Sequence, residues 1–522
     1  MTNVTLPKYV LPETEPSNDV ASNTRPFRLD DKAPPRAPML LRALLIGAAA
    51  ACLSEPALAD WKALAALERD GALVSASAID LGHNTVIERL NADTRLTPAS
   101  LTKLITAAAA LEAWPTDKMF QTWLLTAGDI HDGVLAGDLI LRGAGDPSLD
   151  DHSLWELAAQ LKGYDISSVA GRLVVSLSPF GSIGCGTKDR CEAQRRSDMA
   201  YNAPIASIGV DFGNWCVIVR PTQAGREAQV RGCGVARLPL PVAGTVRTVP
   251  AGTRPTLWVE RETNTEGDRL RVGGDIPTGS EQRVYRAMSD SARGVGLLLA
   301  ETLRELGIAA PEPIIVTEDP PPANAYALAK TEGLTLREQL GRMLRFSNNY
   351  IADVLTMDLA ASTTERPPPD LPSAAQVLTQ FMSRVQRATQ LSERQPPLIF
   401  SGSGITIENR LSASDLTALL VYQYRDTGHF PAFYGGLTVP RDAPFEFMRL
   451  GSDAWLDRVA LKTGTLNEPV SVCGIAGYLR KRDGGWIAFA VIVNGGPGRK
   501  HIPNETAMRA AQSDLEDILA RD

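Results

Sequence analysis

The sequence predicts an α/β (α+β) protein in which one domain is interrupted by inserted β-rich material and resumed afterwards. The N-terminal and C-terminal parts of the globular chain contain helix and strand patterns of ordinary length. Residues 215–285, in contrast, are short β-type runs rich in Gly, Pro, Thr and Arg. Three prolines at 320–322 indicate a boundary between the two kinds of sequence. With 522 residues, 44% of them hydrophobic, the chain has room for several domains of about 100–200 residues each.

The globular part is predicted to open with a helix at Trp61–Leu67 and a β-hairpin. The hairpin strands are Leu73–Ile79 and Thr85–Leu90, whose residues alternate in polarity around a turn at 82–84. The alanine-rich stretch Ser100–Trp114 is made of strong helix formers, which predicts a helix.

The later part of the chain predicts two helices, three strands and a last helix. The two helices, Leu336–Phe346 and Tyr350–Ala361, are broken at 347–349. Strands are predicted at Arg458–Leu461, Val470–Leu479 and Trp486–Asn494, and an amphipathic helix at Thr506–Ala520 closes the chain.

The first 59 residues differ from the rest. Residues 1–38 are polar and rich in proline, so they cannot bury enough apolar surface to fold. A basic start at 39–42, an apolar run at 43–53 and small residues at 57–59 predict a secretory signal ending near Ala59. The run is shorter than the roughly 20 residues of a spanning helix, although an uncleaved anchor with a cytoplasmic tail is the alternative. Met39 is a second candidate for the true start, and the predicted location is periplasmic, with peripheral membrane association left open.

Charge and cysteine content narrow the class of protein. The net charge of -7 provides no basic surface for nucleic acid. In an oxidising compartment, Cys185–Cys191 and Cys216–Cys233 are candidate local disulfides, and Cys473, in an apolar stretch, is predicted to be a buried free thiol. Zinc is the competing interpretation, but no His lies at ligand spacing from these thiols. The five histidines form no H-E-x-x-H motif and none stands beside a candidate nucleophile, which disfavours zinc peptidases and Ser-His-Asp hydrolases.

The first catalytic motif is S-x-x-K at Ser100 to Lys103. Pro98 favours a helix start just before it, and the i,i+3 spacing places Lys103 on the same face as the Ser100 hydroxyl. A serine needs a neighbouring base, and a lysine serves as one when burial lowers its pKa. Alone, the pattern is more typical of a helix-capping serine and a solvated lysine than of a catalytic pair.

Two further motifs follow. Ser347 and Asn349 bring a hydroxyl and an amide to a break between helices, where both can face one cleft; helix capping is the alternative. Lys462-Thr463-Gly464-Thr465 continues a strand, where Lys462 and Gly464 share a face and Gly464 leaves room for a substrate backbone beside the strand. Lys462 and Thr465 could bind a substrate carboxylate, and a protective edge lysine is the alternative.

The three motifs in this order, each in the expected element, form the signature of the penicillin-recognising serine enzymes, which the chain resembles. The interval from Ser100 to Ser347 is 347 − 100 = 247 positions, too long for a class A β-lactamase or a single-insert carboxypeptidase. The chain is similar instead to the low-molecular-mass class C penicillin-binding proteins, the D-alanyl-D-alanine carboxypeptidase/endopeptidase family. Segments 145–148, 201–204 and 401–404 agree with that family.

The resemblance implies a penicillin-binding/β-lactamase-like transpeptidase fold, an antiparallel sheet with flanking helices. It implies a catalytic domain of residues 60–128 and 324–522, after the leader of residues 1–59. An inserted domain II would comprise 129–214 and 286–323, and a β-rich domain III would comprise 215–285. No metal or cofactor is implied. The implied partners are peptidoglycan stem peptides as substrate and β-lactams as covalent inhibitors, while the oligomeric state is not indicated.

The resemblance also assigns roles. Ser100 would attack the penultimate D-Ala carbonyl with Lys103 as base, and Ser347, helped by Lys462, would protonate the leaving group. Asn349 would hold the substrate carbonyl, and the N–H groups of Ser100 and Thr465 would bind the oxyanion.

A substrate pocket is predicted from Thr463, Gly464, Thr465, Tyr201, Asp198 and Ser403. Relatives carry an arginine where this chain has Ile407, and that arginine binds the carboxylate of a diaminopimelyl side chain. Tyr201 fits the aromatic ring of that pocket, and Asp198 fits its acid only with a shifted spacing. The third residue of the stem peptide is therefore left open.

Two other functions remain as alternatives. A β-lactamase-like hydrolase is disfavoured by the long insertion, and a non-catalytic peptidoglycan-binding scaffold is disfavoured by the intact motifs. Carboxypeptidase and endopeptidase action differ only in the leaving group and are not separated by the sequence.

Overall fold

The computed structural model describes residues 61–521 with the exception of 312, 365 and 394. The predicted signal segment, with its end near Ala59, lies outside the described residues. No helix in the described part of the chain is both long enough and apolar enough to cross a membrane.

The helices in chain order are α1 (Lys62–Arg69), α2 (Thr102–Ala113), α3 (Asp151–Gln160), α4 (Lys188–Arg196), α5 (Ser291–Glu305), α6 (Leu336–Arg345), α7 (Asn349–Ala361), α8 (Leu371–Ala374), α9 (Gln376–Thr389), α10 (Ala413–Arg425), α11 (Phe430–Gly435), α12 (Asp453–Arg458) and α13 (Asn504–Arg521). A short 3-10 turn, Ala99–Leu101, leads directly into α2.

The strands in chain order are β1 (Ala72–Asp80), β2 (Thr85–Leu90), β3 (Gln121–Thr126), β4 (Ile130–His131), β5 (Val134–Leu135), β6 (Leu139–Gly143), β7 (Ser168–Val169), β8 (Leu173–Ser176), β9 (Ser182–Ile183), β10 (Ile205–Ala206), β11 (Asn214–Arg220), β12 (Gln229–Gly232), β13 (Val242–Ala243), β14 (Arg247–Val249), β15 (Trp258–Asn264), β16 (Gly267–Gly273), β17 (Asp275–Pro277), β18 (Gln282–Ala287), β19 (Ile315–Thr317), β20 (Tyr326–Glu332), β21 (Val459–Leu466), β22 (Val472–Arg480) and β23 (Trp486–Gly495).

The two ends of the globular chain build one antiparallel sheet of five strands in the order β2-β1-β23-β22-β21. In β22 and β23, successive side chains enter two different cores because side chains alternate between the faces of a strand. On one face, small residues such as Ala476 and Ala490 belong to the core that includes α2, α7, α9 and α10. On the other face, Phe489 and Val491 belong to the core that includes α1 and α13. The predicted antiparallel sheet with flanking helices is confirmed.

A second five-stranded sheet, in the order β19-β8-β6-β3-β20, is mixed, with β6, β8 and β19 parallel. Its outer pair explains how the chain leaves and re-enters the helical region. β3 follows α2, β20 precedes α6, and the two strands pair antiparallel with Thr126 opposite Tyr326. Short strands between residues 205 and 287 form several small sheets beside it. Residues 61–521 belong to one compact unit, and the domain boundaries stay a prediction.

Most predicted elements are present, with local differences. The Ser100–Trp114 helix begins as a 3-10 turn, and α7 begins at Asn349, so the break between helices covers residues 346–348. Arg458 ends a short helix that the sequence did not reveal, and the following strand runs on to Leu466. The strand extends to Leu466 because every residue from Val459 to Leu466 pairs with β22.

The cysteines are arranged as predicted. Cys185–Cys191 and Cys216–Cys233 form disulfides, and Cys473 is a buried free thiol whose pKa burial raises to about 12. Such a thiol stays protonated at neutral pH and contributes to the core as a small apolar side chain.

Candidate active site

Ser100 and Lys103 meet at the start of α2. The Ser100 hydroxyl oxygen lies 2.9 Å from Lys103 Nζ, and Lys103 is fully buried while Ser100 is partly exposed. Because the 3-10 turn continues into the helix, residues three positions apart share a face, as the motif predicted. No side-chain cap is formed at this helix start, which disfavours the capping interpretation of Ser100.

The turn that carries Ser100 is conformationally unusual. Ala99 has φ of 49°, a value that L-residues seldom adopt outside functional or strongly constrained positions. The turn is braced from within by the Thr102 hydroxyl, which donates to the Ala99 carbonyl at 3.0 Å. This contact helps to hold the partly exposed Ser100 in a 3-10 turn rather than inside a regular helix.

Ser347 lies in the connection between α6 and α7. The N–H of Asn348 donates to the Met343 carbonyl at 3.1 Å, and Ser347 has φ of 55°, so the helix ends in a Schellman-type turn with a serine where glycine is usual. The Asn348 side chain then caps α7 by accepting from the Ile351 N–H at 3.0 Å. The capping role therefore belongs to Asn348, which leaves Ser347 and Asn349 to face the cleft.

Lys462 completes the cavity from the edge strand β21. Its Nζ lies 2.9 Å from the Ser347 hydroxyl oxygen and donates to the Thr463 carbonyl at 2.5 Å. Lys462 is 2% exposed, and burial lowers its pKa to about 7. Along the strand, Thr463 is partly exposed and Thr465 is exposed, so both hydroxyls are open to a ligand.

Lys103 has two more partners. Its Nζ lies 2.7 Å from the Asn349 side-chain oxygen and 2.6 Å from the Ser403 carbonyl. Burial lowers the pKa of Lys103 well below its usual range, and the charge of Lys462 acts in the same direction. An amine with a lowered pKa beside a partly exposed hydroxyl is the pairing that activates a serine nucleophile.

Gly464 lies against the turn that carries Ser100. A Cβ at this position would lie 2.6 Å from the Pro98 carbonyl oxygen and 3.2 Å from the Leu101 nitrogen. The side of Gly464 on which a Cβ would lie is therefore filled by the turn that carries Ser100, and the substrate contact along the strand edge stays a prediction. The glycine permits close packing of β21 against that turn, which brings Lys462 and Ser100 to the same cavity.

Ser403 reaches the site through its backbone. Its side chain is fully buried, and its hydroxyl donates to Asp353 at 2.8 Å. It therefore cannot contact a substrate through that hydroxyl, and its contribution to the cavity is the carbonyl that accepts from Lys103.

The two residues predicted from the inserted segment have different positions. The Tyr201 carbonyl accepts from Asn349 Nδ2 at 3.0 Å, and the Tyr201 side chain is 53% exposed beside the cavity. The Asp198 carboxylate accepts from the Arg261 N–H at 2.6 Å and pairs with Arg286 at 3.3 Å. Asp198 thus has two arginine partners within the protein, and its contact with a substrate stays a prediction.

Three residues of the cavity surroundings were missed by the sequence analysis. Asp353, one turn after Asn349 on α7, is buried and pairs with the buried Arg190 at 3.4 Å. Asp189 accepts from the Ile407 N–H at 2.9 Å, so the residue that replaces the arginine of relatives is held through its backbone. The i,i+4 spacing of Asn349 and Asp353 is the only sequence signal that pointed to any of them.

Among the described residues, no group of three or more His, Cys, Asp or Glu side chains is arranged to hold a metal ion.

Comparisons with known proteins agree with this geometry. The family model for D-Ala-D-Ala carboxypeptidase 3 (S13) matches residues 60–517. The chain belongs to the S13 family. The membership predicted from the three motifs is thereby confirmed, and with it a serine hydrolase of the low-molecular-mass class C penicillin-binding proteins.

Curated relatives in the S13 family match most of the chain. The D-alanyl-D-alanine carboxypeptidase DacB of Haemophilus influenzae is 27% identical over 441 residues, 82% of this chain and 86% of that protein. A D-alanyl-D-alanine carboxypeptidase of Actinomadura sp. strain R39 is 26% identical over 463 residues, 85% of this chain and 82% of that protein.

A solved structure shows the same fold. The crystal structure of penicillin binding protein 4 from Haemophilus influenzae has a TM-score of 0.69 at 22% identity, covering 87% of this chain and 99% of that chain. The same protein has been solved in complex with a β-lactam, with a TM-score of 0.64. At 22% identity, this structural similarity shows that the chain has the same fold and nothing further about its function.

Proposed function

We propose that the chain is a serine-type D-Ala-D-Ala carboxypeptidase, a DD-endopeptidase or both, acting on peptidoglycan stem peptides through an acyl-enzyme on Ser100. The observation that carries the proposal is the Ser100–Lys103 pair, 2.9 Å apart, with the lysine buried and its pKa lowered. Lys462 and Ser347, also 2.9 Å apart, complete the same cavity.

Acylation begins at Ser100. Neutral Lys103 accepts the hydroxyl proton while Ser100 Oγ attacks the carbonyl of the penultimate D-Ala. The N–H groups of Ser100 and Thr465 bind the developing oxyanion, a contribution of about 3–4 kcal/mol per donor in related acyl transfer. Asn349 holds the substrate peptide carbonyl, and its contacts with Lys103 and Tyr201 support this role by orienting the amide.

The leaving group departs on the opposite side of the cavity. Ser347, hydrogen-bonded to Lys462, relays the proton that Lys103 took up to the nitrogen of the leaving D-amino acid, which returns Lys103 to its neutral form. Charged Lys462 and the hydroxyls of Thr463 and Thr465 bind the substrate carboxylate. Neutral Lys103 then takes a proton from the water that attacks the ester carbonyl, and it returns that proton to Ser100 Oγ as the acyl group leaves.

β-Lactams are proposed to acylate the same serine. Their strained cyclic amide presents a carbonyl to Ser100, but ring opening leaves the leaving group attached to the acyl chain. That attached group blocks the approach of water, which supports covalent inhibition rather than turnover.

Location and domain boundaries belong to the same proposal. Export to the periplasm through the signal ending near Ala59 is supported by the two disulfides, which persist in oxidising compartments. The division into a catalytic domain of 60–128 and 324–522 and inserted domains is supported by the antiparallel pair β3 and β20, through which the chain leaves and returns.

Digestion of purified muropeptides tests the proposal. Wild-type protein and a Ser100→Ala variant are incubated with monomeric pentapeptides and with cross-linked dimers, and the products are measured by mass spectrometry. Loss of one D-Ala from monomers shows carboxypeptidase action, and conversion of dimers to monomers shows endopeptidase action. Intact substrates with the wild type, or equal cleavage by the Ser100→Ala variant, would overturn the proposal.

A further inference from the structure

We propose that Arg190 is a positioning residue for the general base Lys103, held in place by the Cys185–Cys191 disulfide. The inference rests on the proposed function, since it concerns how Lys103 is set up to deprotonate Ser100. It assigns the segment 185–191 a part in catalysis although it lies outside the three motifs.

A buried ion pair joins this segment to the helix that carries Asn349. Arg190 lies on α4, and its Nη2 is 3.4 Å from Asp353 Oδ2 on α7. Arg190 is 3% exposed and Asp353 is fully buried. A charge buried this deeply is costly unless it is paired, so each of the two residues depends on the other.

The ion pair is connected to Lys103 through Ser403. Asp353 accepts from the Ser403 N–H and from its hydroxyl, each at 2.8 Å, and the Ser403 carbonyl accepts from Lys103 Nζ at 2.6 Å. Displacement of Asp353 would therefore move the carbonyl that helps to hold the Lys103 side chain. This chain of contacts makes the position of the base dependent on Arg190.

Arg190 also acts on Lys103 through its charge. The charged groups that face Lys103 come from three other elements: Lys462 on β21, Asp353 on α7 and Arg190 on α4. Besides burial, Lys462 and Arg190 lower the pKa of Lys103, whereas Asp353 raises it. Arg190 thus offsets part of the effect of the carboxylate that the Ser403 contacts require, and so helps to keep Lys103 available as a neutral base.

The cost of Arg190 to the fold supports a functional role. Its Nη1 is buried and has no hydrogen-bond partner among the described residues. A buried guanidinium donor without a partner destabilises a protein, and an apolar pair would avoid the loss. The position of its charge near Lys103 gives a reason for its presence.

Two restraints fix the start of α4. The Cys185–Cys191 disulfide closes a loop next to Arg190, and the Cys191 N–H donates to the Thr187 carbonyl at 2.9 Å. The neighbouring Asp189 accepts from the Thr406 hydroxyl at 3.0 Å and from the Ile407 N–H. Both restraints limit the freedom of Arg190 relative to the segment that contains Ser403.

The test is the pH profile of Ser100 acylation by a fluorescent penicillin, measured by rapid mixing between pH 5 and 10. Arg190→Gln removes the positive charge, so the pKa of Lys103 should rise and the acid limb should move up by about one pH unit. Arg190→Lys should restore most of the wild-type profile. Asp353→Asn removes the negative charge and should move the limb in the opposite direction.

Matched variants separate positioning from general damage to the fold. Arg261→Gln breaks another ion pair, to Asp268 at 3.3 Å, and should leave the limb unchanged. Replacing Cys185 and Cys191 together by Ser should shift the limb as Arg190→Gln does, whereas the same change at Cys216 and Cys233 should not. The disulfide variant also tests the proposal if Arg190→Gln fails to fold, as judged by circular dichroism.

The outcomes are distinct for the two proposals. A wild type that forms no adduct on Ser100 would overturn the proposed function. A wild type that is acylated, together with Arg190 and Cys185–Cys191 variants that keep its pH limb or lose rate equally at every pH, would overturn the positioning role alone.

Discussion

Lys462 lowers the pKa of Lys103, although the two lysines come from opposite ends of the globular chain. Each is buried, and each Nζ lies 2.9 Å from a serine hydroxyl, Ser100 for Lys103 and Ser347 for Lys462. Two buried amines that repel one another cannot both carry a charge easily, so one is favoured as a neutral base and the other as a cation.

The first prediction concerns the alkaline side of the pH profile. Burial lowers the pKa of Lys462 to about 7. As pH rises through that value, Lys462 should lose its positive charge and bind a substrate carboxylate less tightly. Peptide kcat/KM should therefore decline above about pH 7. Lys462→Arg keeps a fixed charge and should remove this limb, at a general loss of about tenfold from overpacking. The same alkaline limb in the arginine variant would show that another group titrates.

The second prediction concerns a buried carboxyl beside α7. Asp146 Oδ1 accepts from the Ser148 N–H and hydroxyl, its Oδ2 has no partner among the described residues, and burial raises its pKa to about 6. The folded state therefore binds a proton more tightly than the unfolded chain, and stability is lost as pH rises from about 4 to about 6.

Asp146→Asn imitates the protonated acid at every pH. The variant should match the wild type near pH 4 and exceed its free energy of unfolding by about 3 kcal/mol above pH 6. Urea unfolding at a series of pH values measures the difference. Asp268→Asn is the control with the opposite sign. Burial raises the pKa of Asp268, but hydrogen bonds from Ser289 and Trp215 outweigh this effect and lower the pKa overall. The Asp268→Asn variant should therefore lose stability at pH 7. A constant difference for Asp146→Asn across pH would contradict the assignment.

The third prediction tests the contact between β21 and the serine turn. Gly464→Ala places a Cβ 2.6 Å from the Pro98 carbonyl oxygen, so the strand or the turn must move. We expect a loss of about 1–3 kcal/mol in stability and a slower acylation of Ser100. Gly341→Ala, on α6 with no atom within 4 Å of the added Cβ, is the control and should not slow acylation. Equal acylation by both variants would show that the close approach does not position the serine.

The predictable part of the structure is the part with a short-range pattern. Ser100 and Lys103 are three positions apart, and the paired strands alternate in polarity, so spacing alone indicated a shared face and a sheet. The meeting of three distant motifs in one cavity followed from the family resemblance, because no local pattern encodes that contact. The i,i+4 spacing placed Asp353 on the same face as Asn349, but nothing in the sequence indicated its pairing with Arg190, which lies on a distant helix.

The contacts of three predicted site residues within the protein could not be read from the sequence either. Gly464 indicated a close approach, as glycine in a strand does, but the sequence did not show that the turn carrying Ser100 is one of the groups that approach it. Ser403 was placed in the pocket because of its motif, but its hydroxyl donates a hydrogen bond to the buried Asp353 carboxylate. Asp198 was a candidate acid until its partners, Arg261 and Arg286, were known.

The fourth prediction concerns Tyr201, whose ring is exposed beside the cavity while its backbone holds Asn349. Tyr201→Ala keeps the backbone contact and removes the ring, so KM for muropeptides should rise about tenfold, a typical loss for a truncated aromatic contact. Acylation by a small penicillin should change little. Tyr285→Ala, an exposed tyrosine on β18, is the control and should alter neither value. An equal fall in both activities would mean that the ring acts through Asn349.

Trapping of the acyl-enzyme tests the central claim most directly. The wild type, Ser100→Ala and Lys103→Met are incubated with penicillin, and intact mass followed by peptide mapping locates the adduct. We expect one adduct per chain on the peptide that contains Ser100, none in Ser100→Ala, and a rate at least a hundredfold lower in Lys103→Met, since general-base catalysis contributes about 10²–10⁴-fold. An adduct on another residue, or unchanged acylation without Lys103, would contradict the account.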